Sequence, residues 1–225
     1  MKNFDFQVIR FVTSEEINTW LNEIERIVKQ KLLKIGIEWP SELKIYDYHK
    51  VVNNDLHGIL WPKKERIFSK QFLKTETIND WLERVVNLVD KREVLDIEGI
   101  GYPEIYFRLV RPNEPEDISG IHTDGAFYSI TNKISEAEWD SWVKIWVPLC
   151  FEPDHNTLAF VRGSHRESYQ FEVKDGPDKK RPLFAQINNE KKLNWVRPVN
   201  EIGEIALFSP KTLHCGYNKA SNLTR

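Results

Sequence analysis

The feature that most constrains the fold is a change of sequence texture near residue 96. Beyond this point the chain consists of short runs rich in β-branched and aromatic residues, separated by turn-forming residues. The runs are EIYFRLV, DSWVKIWVPLC, TLAFV, YQFEV, LNWVRPV, EIALFS and CGYNKASNLTR. Many short strands at this spacing are typical of a β-sandwich or barrel. The sequence therefore predicts a mainly β core over residues 96–225.

Two packing helices are predicted before the β core. Thr13, with Glu16 three positions later, forms a capping box for a helix over residues 13–34. A second helix is predicted over residues 77–91, with Thr77 as its cap. In both segments the apolar residues recur on one helical face, which indicates helices that pack against a core.

The segment between these helices, residues 36–74, predicts loops with one or two short strands. A chain of 225 residues is long enough for one domain with a sizeable core, and β barrels of this length commonly form one domain. We therefore expect a single α+β domain over residues 1–225, with a helical support region at 1–95 and the β core at 96–225.

Charge and composition exclude several classes of partner. The 32 basic and 34 acidic residues nearly balance and form no long basic stripe, so we expect no nucleic-acid partner. No apolar run has the length of a signal peptide or a membrane span, which predicts no membrane partner. Two cysteines are too few for a disulfide framework. These features predict a cytoplasmic protein, with no prediction of oligomeric state.

The stretch SGIHTDGAF contains the strongest candidate for a metal site, His122-x-Asp124. About one histidine followed two positions later by an acidic residue is expected by chance from this composition. Two such pairs occur, the second being His165-x-Glu167. The pair alone therefore predicts little, and its context decides the interpretation.

A non-haem Fe(II) centre of the 2-His-1-carboxylate type needs two imidazoles and one carboxylate on one side of the metal. On an extended backbone, residues two positions apart point the same way, with Cα atoms about 6.6 Å apart at a rise of about 3.3 Å per residue. His122 and Asp124 would then converge on one ion. The third ligand must come from a neighbouring strand, and His214 in EIALFSPKTLHCG is the candidate.

Four segments together resemble the phytanoyl-CoA dioxygenase family of Fe(II)/2-oxoglutarate-dependent oxygenases. They are the strand that leads into HTD, KIWVPL followed by NTLAFVRGSH, the GEIALF strand, and H-x10-R from His214 to Arg225. Each segment is weak alone, but their order and spacing are fairly specific and cover slightly more than half of the chain. Sequences of this family continue beyond the matching arginine, so we expect the native chain to continue beyond Arg225.

The resemblance implies a double-stranded β-helix, which is a cupin-like jelly roll, buttressed by the N-terminal helices. It also implies Fe(II) held by His122, Asp124 and His214, with Arg225 binding the far carboxylate of 2-oxoglutarate. A guanidinium suits this role because its rigid fork matches a carboxylate bidentately. The implied reaction uses O2, yields succinate and CO2, and usually hydroxylates an unactivated C–H bond of a small organic substrate.

Three further residues are candidates for contacts with 2-oxoglutarate or the substrate. Strand alternation places Tyr106 and Arg108 together on a polar face of the run that leads into HTD, and Thr157 lies in the second family segment. For His165 the resemblance implies a structural role, because this histidine occupies the family's Gly-Ser-His turn. We interpret Cys215 as a small buried residue whose side chain points away from His214.

The resemblance also separates alternative functions. Halogenating relatives replace the carboxylate ligand with a small residue, whereas this chain has Asp124, which favours a hydroxylase. Two alternatives remain open at this point: a non-catalytic jelly-roll protein that binds a ligand, and a cupin-like metalloenzyme with another ligand set. The absence of a further histidine or glutamate two to six residues after His122 argues against the second alternative.

Overall fold

The computed structural model describes residues 4–91, 93–172, 184–186, 193–219 and 221–225. The chain divides into two compact units. The β unit comprises residues 1–11 and 112–222, and the helical unit comprises residues 12–111 and 223–225. That the whole chain forms one domain stays a prediction. Among the described residues, no helix combines the length and the apolar character that crossing a bilayer requires.

The helical unit is built around a long amphipathic helix. Its helices are α1 (Ser14–Lys34), α2 (Asn54–Leu60), α3 (Lys70–Leu73) and α4 (Glu76–Leu88), with 3₁₀ turns at Ile45–Lys50 and Lys63–Arg66. The capping box of Thr13 and Glu16 that the sequence predicts is present at the start of α1. Trp20 of α1 packs edge-on against Phe68, Phe72 and Trp81, with ring centroids 4.8, 5.2 and 5.5 Å away. Buried aromatic rings therefore join α1 to the later helices.

Several boundaries in this unit differ from the sequence-based predictions. The predicted cap Thr77 is wrong, because Thr75 precedes the first residue of α4 and the helix ends at Leu88. The segment 36–74, predicted as loops with short strands, contains α2 and α3. Their N-caps are Asn53 and Ser69, whose side chains accept hydrogen bonds from backbone N–H groups three residues later. These capping signals outweigh the irregular composition of the segment.

The predicted strand over residues 104–110 is also wrong as a ladder strand. In the structure Tyr106 forms an isolated bridge with Ile67, and Val110 exchanges two backbone hydrogen bonds with Arg225. The expected alternation is present from Tyr106 to Leu109, because Phe107 and Leu109 are buried whereas Tyr106 and Arg108 are exposed, but it ends at Val110, which is also buried. The backbone is extended here, but it pairs at single positions.

The β unit contains eight strands in the described part of the chain. They are β1 (Phe6–Arg10), β2 (Lys144–Trp146), β3 (Asn156–Val161), β4 (Gln170–Glu172), β5 (Phe184–Gln186), β6 (Trp195–Val196), β7 (Glu204–Phe208) and β8 (His214–Asn218). Within these residues, two antiparallel sheets have the orders β1-β7-β2 and β6-β3-β8, and β4 pairs with β5. The chain is thus a mixture of helix and antiparallel sheet, and β1 is a strand that the sequence analysis did not identify.

Strand register determines which side chains form the core between the two sheets. Phe6 lies opposite Phe208 in the first sheet, and Phe160 lies opposite His214 in the second. Residues directly opposite each other in a ladder project to the same face. The ring of Phe160 stacks on Phe6 at 5.2 Å between centroids and meets Phe208 edge-on at 5.1 Å. The two sheets therefore pack face to face, with His214 on the inner face.

Candidate functional site

His122 and His214 lie directly opposite each other in an isolated antiparallel bridge. Each backbone N–H donates to the other residue's carbonyl, and both N–O distances are 3.0 Å. Both imidazoles therefore project to the same side, and their ring centroids are 4.3 Å apart. Backbone pairing, rather than a contact between side chains alone, brings the two histidines together.

The Nδ1 atoms of the two histidines are both bound to backbone carbonyls. His122 Nδ1 lies 2.7 Å from the carbonyl oxygen of Gly120, and His214 Nδ1 lies 2.9 Å from that of Thr212. Because a carbonyl oxygen only accepts, each Nδ1 carries a proton, so in the neutral imidazole each Nε2 is the nitrogen that could bind a metal. This second hydrogen bond is typical of histidines that bind metals, since it fixes the tautomer and the ring orientation.

Asp124 reaches the same place from the first turn of a short helix. After the bridge at His122, Thr123 is extended and acts as the N-cap of α5 (Asp124–Phe127), accepting a hydrogen bond from Ala126 N–H. The prediction of a fully extended His-x-Asp segment is therefore wrong at its last residue. The Asp124 carboxylate still approaches His122, with Oδ1 3.8 Å from His122 Nε2.

The start of α5 is fixed by a close approach of backbone to side chain. Gly125 N–H donates to the Pro210 carbonyl at 2.9 Å. A Cβ atom at Gly125 would lie 2.6 Å from the indole ring of Trp139, which belongs to α6 (Glu136–Trp139). Only glycine fits this position without displacing the ring or the helix that holds Asp124.

The side chains of His122, Asp124 and His214 each offer one ligand atom, and these three atoms lie within 4.8 Å of one another. Among the described residues, these three side chains form a group of potential ligands that could hold a metal ion. Two imidazoles and one carboxylate suit a divalent transition metal and leave other coordination positions open. The arrangement therefore has the donor set of a site that could hold a metal together with a further ligand.

Lys144 is a residue of this site that the sequence analysis did not identify. It lies opposite Phe208 at the start of β2, and its Nζ is 3.7 Å from Asp124 Oδ2 and donates to the hydroxyl of Tyr128. Burial opposes ionisation of Asp124, but the charge of Lys144, together with those of His214 and His122 when they are protonated, outweighs burial and lowers the pKa of this carboxyl. The signal in the sequence that could have identified Lys144 is strand alternation, which places this lysine on the same face of β2 as Trp146.

The other predicted site residues belong to other elements of the chain. In β3, Thr157 lies opposite Tyr217 and its buried side chain projects to the face of the sheet opposite that of His214. Arg225 belongs to the helical unit, as do Tyr106 and Arg108. Burial of the Arg225 guanidinium, together with the positive charge of Arg108, lowers the pKa of Arg225 to about 9.

The second histidine–acid pair has no such convergence. His165 lies in a 3₁₀ turn (Ser164–Arg166), is buried, and has its Nδ1 3.1 Å from Oδ1 of Asp5. Glu167 follows the turn and is exposed. Asp5 also accepts a hydrogen bond from Gly163 N–H at 2.7 Å. The hydrogen bond from Gly163 to Asp5 therefore links the Gly-Ser-His turn to the N-terminal segment, and His165 is buried beside it, in agreement with the structural role that the resemblance implies.

Comparison with solved structures shows that the fold is shared with known enzymes. EvdO2 from Micromonospora carbonacea var. aurantiaca, complexed with 2-oxoglutarate, has a TM-score of 0.59 and 16% identity over 100% of this chain and 84% of its own. The epimerase SnoN, in complex with Fe3+, alpha ketoglutarate and nogalamycin RO, has a TM-score of 0.51 and 15% identity over 100% of this chain and 77% of its own. At these identities the similarity shows the fold alone.

Comparison of sequences gives the family. No protein of curated function is significantly similar to the chain in sequence. The family model for phytanoyl-CoA dioxygenase (PhyH) matches residues 6–225, which is nearly the whole chain. This match extends well beyond the four segments on which the resemblance was based and confirms it. The chain belongs to the phytanoyl-CoA dioxygenase (PhyH) family.

Proposed function

We propose that this protein is a non-haem Fe(II)- and 2-oxoglutarate-dependent dioxygenase that hydroxylates a small organic substrate. The observation that carries the proposal is the convergence of one donor atom each from His122, Asp124 and His214 within 4.8 Å. Membership of the PhyH family and a fold shared with EvdO2 support it. The co-products would be succinate and CO2.

The donor set fits Fe(II) in its chemistry as well as its spacing. Each Nδ1 donates to a carbonyl, so each neutral imidazole would bind the metal through Nε2, and the lowered pKa keeps Asp124 ionised at neutral pH. Iron and the keto acid together would supply the activation of O2. The residues of this chain would hold the metal on one side, leave the other side open, and fix the orientation of what binds there.

Arg225 is our candidate for binding the far carboxylate of 2-oxoglutarate. Its guanidinium is charged at neutral pH even with its lowered pKa of about 9. A carboxylate beside this group would offset both the burial and the repulsion from Arg108. The backbone of Arg225 is fixed by two hydrogen bonds with Val110, at 2.7 and 2.9 Å. Tyr106 and Arg108 remain candidates for further contacts, whereas the orientation of Thr157 favours a structural role.

Hydroxylation is the outcome that the ligand set favours. A halogenase needs a coordination position for chloride where Asp124 supplies a carboxylate, so this chain is better suited to hydroxylation. The family name does not imply a phytanoyl-CoA substrate, because one fold supports many reactions. A jelly-roll architecture of one domain, a cytoplasmic location, and the absence of nucleic-acid or membrane partners are parts of the same proposal.

The test is an anaerobic titration of the metal-free protein with Fe(II) and 2-oxoglutarate, observed through the weak visible charge-transfer band of a chelated keto acid. We expect the band in the wild type, its loss in His122→Ala, and a weaker affinity for 2-oxoglutarate in Arg225→Ala. Arg197→Ala is the matched control, because Arg197 stacks on Tyr217 of β8 at 4.5 Å and should leave the band unchanged. No band and no bound metal in the wild type would refute the proposal and favour a non-catalytic binding protein.

A further inference from the structure

Lys144 places a positive charge beside a residue that we propose as a metal ligand. Its Nζ lies 3.7 Å from Asp124 Oδ2, and about a third of its side chain is exposed, 32%. It also donates to the Tyr128 hydroxyl and lies over the Tyr128 ring, 5.2 Å from the centroid. These contacts hold the ammonium group in a defined position on the inner face of β2.

Lys144 and a bound metal would compete for the same carboxylate. A divalent cation held by Asp124, His122 and His214 would lie within a few ångströms of the ammonium. Like charges at such separations in a partly buried site repel strongly. The metal and Lys144 together would leave an excess of positive charge that one carboxylate cannot balance. An anion bound beside the metal would remove this excess.

We propose that Lys144 is a positioning residue that makes tight metal binding depend on 2-oxoglutarate. This inference rests on the proposed function. Before the metal binds, Lys144 keeps the Asp124 carboxylate oriented; once the metal binds, its charge weakens the site for the metal alone. The dianionic keto acid then offsets the added charge, so metal and keto acid bind cooperatively. By linkage, the metal increases the affinity for 2-oxoglutarate by the same factor.

A purely structural role of Lys144 makes a different prediction. If the lysine only stabilised the fold through Asp124 and Tyr128, its replacement would lower the free energy of unfolding without tightening metal binding. If it opposes the metal, its replacement by a neutral residue tightens metal binding in the absence of 2-oxoglutarate. The two roles therefore change metal affinity in distinguishable ways.

The experiment measures the dissociation constant of Mn(II) by calorimetry, with and without saturating 2-oxoglutarate. We expect 2-oxoglutarate to tighten Mn(II) binding to the wild type by about tenfold or more, as like charges at this distance imply. Lys144→Met and Lys144→Gln should bind Mn(II) alone about tenfold more tightly than the wild type and show a smaller effect of 2-oxoglutarate. Lys144→Gln can still donate to Tyr128, so it tests the charge even if Lys144→Met folds poorly.

Two control variants distinguish an effect of the charge at position 144 from an effect of the net charge of the protein. Lys144→Arg keeps the charge and should behave as the wild type. Lys211→Met removes a lysine of the β unit whose Nζ pairs with Glu136 and Asp140, each at 2.9 Å, and should leave Mn(II) affinity unchanged. Wild-type affinity and coupling in both neutral Lys144 variants would overturn this inference while leaving the proposed metal site standing. A wild type that binds no metal would overturn the proposed function and this inference with it.

Discussion

The pairs His122-x-Asp124 and His165-x-Glu167 have the same sequence spacing but different surroundings in the β unit. In the first pair the backbone of His122 bridges to His214, so both imidazoles share one side and Asp124 joins them. In the second pair the histidine is buried in a turn against Asp5, and Glu167 is exposed.

The difference arises from the backbone that surrounds each pair. A bridge directs the side chains of opposite residues to one face, so a residue distant in sequence supplies the third donor. A 3₁₀ turn spreads successive side chains around its axis, so His165 and Glu167 do not converge. The comparison teaches that this motif forms a cluster of potential metal ligands only when a strand partner completes it.

The largest effect that tests the comparison is on metal binding. His122→Ala should weaken the affinity for Mn(II) by more than about 100-fold, because loss of a ligand exceeds the cost of losing an outer partner. His165→Ala should change this affinity by less than about threefold, since its imidazole binds Asp5. Calorimetry of both variants measures the contrast. Similar losses in the two variants would contradict the assignment of different roles.

The second effect concerns the stability of the turn that contains His165. Asp5→Ala removes the acceptor of Gly163 N–H and the partner of His165, and should lower the free energy of unfolding by about 1–3 kcal/mol. Urea denaturation measures the change, and Mn(II) affinity should stay that of the wild type. A variant as stable as the wild type would show that this turn does not depend on Asp5.

A third prediction concerns the helix start that directs Asp124 toward the histidines. Gly125→Ala places a methyl group 2.6 Å from the Trp139 ring and should lower the free energy of unfolding by about 1–3 kcal/mol. Gly58→Ala is the matched control, because Gly58 lies in α2 with open space around it. That variant should gain about 0.5–1 kcal/mol from the better helix propensity of alanine. Equal stabilities of the two variants would show that the approach of Trp139 is unimportant.

The smallest predicted effect tests whether 2-oxoglutarate binding, which we assign to Arg225, can be weakened without a change in metal binding. Thr224 precedes Arg225 in the chain, is buried, and bonds to His49 Nδ1 at 3.0 Å. Thr224→Val removes this hydrogen bond and should weaken 2-oxoglutarate binding by about twofold to tenfold, with Mn(II) affinity unchanged.

Titration of the charge-transfer band measures the affinity for 2-oxoglutarate. Thr19→Val, which removes a hydroxyl that donates to the Glu15 carbonyl on the exposed face of α1, is the control. A loss of Mn(II) affinity in Thr224→Val would mean that the two functions are not separable in this way.

The sequence by itself determined the helix that Thr13 and Glu16 cap, and the candidates His122, Asp124 and His214. Capping boxes and alternating apolar runs are local signals, so they can be interpreted without knowledge of distant contacts. Family resemblance added the interval from His214 to Arg225, and the match over residues 6–225 confirms the family itself.

Only the tertiary structure decided which residues meet. It pairs β1 with β7 and places Asp124 at the start of α5. It also directs Thr157 to the face of β3 opposite that of His214, and it places Lys144 beside Asp124. The physical reason is that strand register and the packing of Trp139 on Gly125 depend on contacts between residues far apart in sequence, and a shift of one position in register reverses every side chain.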